Sequence, residues 1–160
     1  MKFVIRNIPN GLAIFMAAVF IASLFYKFTD DPKTQVIFSQ KLDGWAASFG
    51  APGLFGHTGL FSQYVIGSIE ILASVLLLLG ILPKFHRLQA MGAAAGVLVM
   101  TGAVSFHLFT PLGTDPNNDG GGLFMAAVTN LIFGLALLFW FRRKEVLDVL
   151  KRVATVFSPD

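Results

Sequence analysis

Cysteine is absent from these 160 residues. Its absence excludes disulfides, thiol redox chemistry, thiolate zinc sites, iron–sulfur clusters and covalent haem attachment. Charge is scarce as well. Asp, Glu, Lys and Arg make up 13% of the chain, against about a quarter in a soluble domain, too few to cover a water-facing surface. The net charge is +3 and no basic stripe interleaves with aromatics, so nucleic acid is not an expected partner. Linkers and low-complexity stretches are also missing, so residues 1–160 read as a single domain.

What is plentiful is apolar: 55% of residues are hydrophobic and 17 are Phe. Four stretches, Ile8–Phe28, Gln63–Leu82, Leu88–Phe109 and Leu123–Phe141, approach the roughly 20 helical residues that cross a bilayer. Spanning strands would alternate polar with apolar residues, and Val75-Leu76-Leu77-Leu78-Leu79 does not. The expected fold is therefore all-α, an integral membrane four-helix bundle in contact with lipid. The run after Met1-Lys2 and Arg6 is longer than a signal-peptide core, so it reads as the first retained helix.

The Lys and Arg flanks set the orientation. Lys2, Arg6, Lys84, Arg87, Arg142, Arg143, Lys144, Lys151 and Arg152 fall on one side; Lys27, Lys33 and Lys41 fall on the other. The excess places both termini in the cytoplasm and the loops at 29–62 and 115–122 outside. Within the first of these loops, Asp31-Pro32 reads as an N-cap followed by Pro at the first helical position. Val36, Ile37, Leu42, Trp45, Ala46 and Phe49 then form an amphipathic surface helix over about 32–49, ended by Gly50-Ala51-Pro52-Gly53. A basic tail helix is expected over about 144–157.

An ionisable group inside a membrane helix costs several kcal/mol unless it is paired or hydrated, on the order of 3 kcal/mol by insertion measurements. Glu70 is the leading case, about 10 Å inside its helix at 1.5 Å per residue. Gln63, Gly67, Glu70 and Ser74 share its face by their spacing. Lys27 with Ser23, His107 and Asn130 lie at the outer ends of the other three helices. The inner half offers no comparable set. Two readings stand: a polar pocket open to the outside, with His107 partnering Glu70 beneath a quinone headgroup, or an internal pair with Lys27 or His107 that fixes helix packing. A metal centre built from His57, His107 and Glu70 lacks close ligand spacing. Asp119-Gly120-Gly121-Gly122 is either an anion-binding turn or a flexible one. Gly92-Ala93-Ala94-Ala95-Gly96 permits close helix approach, within the bundle or in a homo-oligomer.

Leu24-Phe25-Tyr26-Lys27-Phe28, the run from Tyr64 to Ser74 leading into Leu77-Leu78-Leu79-Gly80, Met100 to Leu108, and Asp119-Gly120-Gly121 together resemble the DoxX-like family of small four-helix membrane proteins. The resemblance implies a bacterial inner-membrane bundle. The family's name member is associated with a thiosulfate:quinone oxidoreductase, so it also implies quinone-linked redox work beside other membrane subunits. With no cysteine, a persulfide mechanism cannot reside in this chain.

Overall fold

The computed structural model describes residues 2–156, with side chains over 7–155. Among the described residues every regular element is helical. Helix α1 runs Lys2–Phe28; a short run follows as α2 (Pro32–Gln35), a π-helical stretch (Val36–Leu42) and α3 (Asp43–Ala47). Three further long elements are α4 (Gln63–Leu79), α5 (His86–Phe109) and α6 (Gly122–Ala136), the last extended by a π-helical stretch, Leu137–Phe141. Helix α7 (Arg143–Val156) closes the chain; Phe157, the end of the expected tail helix, lies outside the described residues.

The four long helices pack in chain order and α1 closes the ring against α6. One end of the bundle therefore carries the start of α1, the α4–α5 turn and the end of α6. The other carries the end of α1, the start of α4, the end of α5 and the start of α6. Three of the helices, with spans Asn7–Phe28, Pro83–Phe109 and Gly122–Phe141, are long and apolar enough to cross a membrane. Helix α4, apolar but of 17 residues, is about 26 Å long at 1.5 Å per residue, slightly under the roughly 30 Å hydrocarbon thickness.

Small residues decide how closely the helices meet. Ala13, Met16, Ala17 and Phe20 of α1, Ala73 and Leu77 of α4, and Ala93 of α5 form the dry core. A Cβ on Gly92 would stand 2.7 Å from the Leu77 backbone nitrogen, and one on Gly96 would stand 3.0 Å from Met16. The small-residue face of α5 thus serves the bundle's own packing. Large side chains such as Phe25, Leu98, Phe139 and Trp140 point outward and face lipid, where they need no protein partner.

Helix α4 ends at Leu79, three residues before the expected Leu82. A Cβ on Gly80 would lie 2.3 Å from the Gln89 backbone nitrogen, so the chain turns where two backbones touch. Pro83 then opens a 3₁₀ turn over Pro83–Phe85, and α5 starts two residues earlier than expected.

The loop between α1 and α4 builds its own small core. Asp31 accepts from the Lys33 N–H at 2.9 Å ahead of Pro32, as the cap reading required. Leu42, Ala46, Phe55 and Leu112 form a second core, flanked by Trp45 and Phe106. Asp43 ties the returning strand of the loop down, accepting from Gly53 N–H at 3.1 Å and Phe55 N–H at 2.9 Å. Asp43→Ala should lose about 1–2 kcal/mol of local stability through these two donors. Hydrogen exchange at Phe55 should accelerate about tenfold or more, while exchange at Ala73 in the bundle core stays unchanged.

Candidate functional site: a closed ion pair at one end and an arginine cavity at the other

The last turn of α1 and the second turn of α4 face each other where Gly67 has no side chain. A Cβ there would meet the Phe28 ring at 2.8 Å and Lys27 Cδ at 3.5 Å. That gap lets Lys27 reach inward. Its Nζ donates to Glu70 Oε2 at 2.9 Å, to Glu70 Oε1 at 3.1 Å and to Ser23 Oγ at 3.0 Å. Ser23 Oγ in turn donates to Glu70 Oε2 at 2.7 Å. Glu70 is 2% exposed and Lys27 13%. The cluster is neutral as a unit, which is the condition for keeping a carboxylate at this depth.

Gln63 ties this cluster to the loop. Its Nε2 donates to the Lys27 carbonyl at 2.7 Å and to Asp30 Oδ1 at 2.6 Å, and its Oε1 accepts from Gln35 at 3.0 Å. Tyr64 donates its hydroxyl to the same Asp30 oxygen, and His57 Nε2 stands 3.0 Å from that hydroxyl. The network runs from the loop surface to the Lys27 backbone and stops there. A backbone carbonyl and a side-chain amide pass no proton onward, so it is a brace and not a proton path.

The remaining expected site residues are elsewhere. His107 does not partner Glu70. Its Nδ1 is 2.6 Å from the Gly113 carbonyl and its ring meets Phe124 edge-on at 5.4 Å, so it fastens the α5–α6 loop. Ser74 donates back to the Glu70 carbonyl at 2.8 Å, within its own helix. Asn130 is fully buried, holds the Met16 carbonyl only at 3.5 Å, and leaves its Oδ1 without a partner. Among the described residues no three His, Asp or Glu side chains gather as metal ligands. The Gly-rich turn before α6 is occupied by its own acid. Asp119 Oδ1 accepts from the Gly121 and Gly122 N–H groups, both at 3.0 Å. Asp115 accepts from Asp119 N–H at 2.8 Å, which holds its carboxyl below the usual range.

A family model described as DoxX matches residues 12–109, more than half of the 160-residue chain. The chain belongs to the DoxX family. Its matched region takes in α1 from Leu12, the loop between α1 and α4, α4 and α5, and with them Ser23, Lys27, Gln63, Glu70 and His107. Asn130 and Arg142 of this DoxX chain fall beyond the match. No curated protein and no solved structure gives a match.

The expectation of an empty inner half is overturned at the opposite end of this DoxX bundle. Gln89, fully buried at the start of α5, accepts from Arg142 Nε at 2.6 Å and donates to Asn10 Oδ1 at 3.3 Å. Arg142 is 8% exposed and lines a cavity of about 360 Å³ with Asn7, Asn10, Ile81, Pro83 and His86. The three hydrogen-bonded residues come from α1, α5 and the end of α6. Arg142 had counted only as one of nine flanking cations, and Gln89 and Asn10 carry no charge. The available signal was a Gln one turn inside an apolar helix, facing the same end as an Arg.

Proposed function

We propose that this DoxX-family chain is a non-catalytic membrane subunit that holds and shapes a larger, quinone-linked redox assembly and carries no cofactor of its own. The supporting observation is the closure of the Glu70 cluster. Both carboxylate oxygens are held by Lys27 and Ser23, and the carboxyl has almost no exposure. A quinone headgroup needs donors aimed at its carbonyls. Lys27 directs its ammonium at Glu70 and Ser23, and His107 turns to Gly113, so these residues do not fit one. The redox association rests on the family resemblance; the chain's own contribution is a rigid, lipid-facing bundle with a capped outer end.

The same reading puts the bundle in a bacterial inner membrane with the Arg142 end in the cytoplasm, because nine of the Lys and Arg residues cluster there. The test is purification from native membranes in mild detergent. A stoichiometric partner chain should co-purify, and extractable quinone should track the partner. Glu70→Gln should leave quinone content within twofold while weakening the bundle. A monomer that retains quinone after the partner is removed would overturn the reading.

A further inference from the structure

At the Arg142 end the chain holds a buried cation that, among the described residues, no carboxylate neutralises by contact. Among the described residues the ion pairs at this face are Arg87 with Asp148 at 2.5 Å, Arg152 with Asp148 at 3.7 Å and His86 with Glu145 at 3.9 Å. Arg142 is in none of them. Among the described residues its side chain donates from Nε to Gln89, which fixes the plane of the guanidinium. Arg142 lines the cavity, and its two terminal Nη groups carry four further N–H donors. Gln89 is itself held by Asn10, so the fork is oriented before any ligand arrives. Burial pushes the Arg142 guanidinium below its usual value and Glu145 partly offsets this; an arginine side chain remains a cation in proteins.

We propose that this cavity is a binding site for a phosphate group, delivered either by an anionic phospholipid headgroup at this membrane face or as free phosphate. A planar guanidinium pairs with two phosphate oxygens at once, which an ammonium does not. The cavity, about 360 Å³, falls in the range of roughly 300–1,000 Å³ typical of small-ligand sites. Arg142 directly follows the last apolar helical residue, Phe141, at the depth where headgroups lie. Basic cavities between membrane helices on the cytoplasmic side are the usual form of such lipid sites. Asn10 and His86 supply further polar edges on the wall. The neighbouring Arg143 and Lys144 are exposed, disfavour a cationic headgroup, and attract anions only through screened, long-range charge. The site stands whether or not the chain has a protein partner.

The full chain in neutral detergent, probed by native mass spectrometry and by titration with phosphatidylglycerol, phosphatidylcholine and inorganic phosphate, tests this. Phosphatidylglycerol should bind one to one and at least tenfold more tightly than phosphatidylcholine. Arg142→Gln, which keeps a polar side chain near Gln89, should weaken that binding tenfold or more. Arg142→Lys should leave an intermediate affinity, and the exposed pair Arg143→Gln with Lys144→Gln should change it less than threefold. Displacement by millimolar phosphate assigns free phosphate as the source; retention of the lipid assigns the headgroup. Equal binding of the two lipids together with no phosphate binding overturns the site, as does wild-type affinity in a folded Arg142→Gln. If Arg142→Gln does not fold, the lipid comparison on the wild type and on Arg142→Lys decides.

Discussion

Lys27→Met should lower the unfolding free energy by about 3–5 kcal/mol, the range for removing one partner of a buried ion pair. The mutation leaves Glu70 at 2% exposure with Ser23 as its remaining side-chain donor. Glu70→Gln should cost less, about 1.5–3 kcal/mol, the value of hydrogen bonds to a charged group. Lys27 ends α1 and can swing its ammonium toward water, whereas Glu70 has no such exit. The double variant strands neither charge and should be more stable than Lys27→Met alone, so the coupling should exceed the Glu70→Gln cost, at least about 1.5 kcal/mol. Reversible unfolding in mixed micelles, followed by the fluorescence of Trp45 and Trp140, measures all four corners. A Lys27→Met loss under about 1 kcal/mol would show that the pair does not hold the bundle.

The same calculation explains how far the site could be read from residues alone. Glu70 is legible because a carboxylate in a 17-residue apolar helix needs a nearby cation, and Lys27 is the cation at the matching end of the adjacent helix. Gln63 followed from its place on the Glu70 face. For Glu70 the sequence leaves Lys27 and His107 open as partners, because the acceptor His107 uses is the Gly113 carbonyl, in a loop with a left-handed residue (φ 70°). Side-chain inventories do not register such acceptors. Asn10, Gln89 and Arg142 went unnoticed together because two of them are neutral and they are separated by 79 and 53 positions. The helices themselves were easier. Long apolar runs with few charges leave no other way to satisfy the backbone in lipid. Their ends were less so, since Ile81 and Leu82 are as apolar as Leu79 and only the packing of Gly80 against α5 reveals the turn.

That contact carries the second large effect. Gly80→Ala adds one methyl group where Gln89 N, Cβ and Cα lie 2.3, 2.4 and 2.5 Å from the new atom. No side-chain rotation relieves a clash with backbone, so α4 and α5 must separate at their closest point. Inserting a methylene into a packed core costs typically about 1–3 kcal/mol and occasionally more; a backbone clash belongs at or above the top of that range. The displacement also moves Gln89 away from Arg142 and Asn10, so the variant should lose the tenfold lipid preference along with stability. Gly11→Ala is the matched control. It lies in α1 with nothing within 4 Å of its new Cβ, and replacing glycine inside a helix should stabilise by about 0.5–1 kcal/mol. One substitution, the same in chemistry, thus has opposite signs at the two positions. Unfolding midpoints of Gly80→Ala and Gly11→Ala in the same micelles should move down and up respectively. If Gly80→Ala moved up as well, the two helices would not meet as closely as drawn, and the orientation of the Arg142 fork through Gln89 would lose its support.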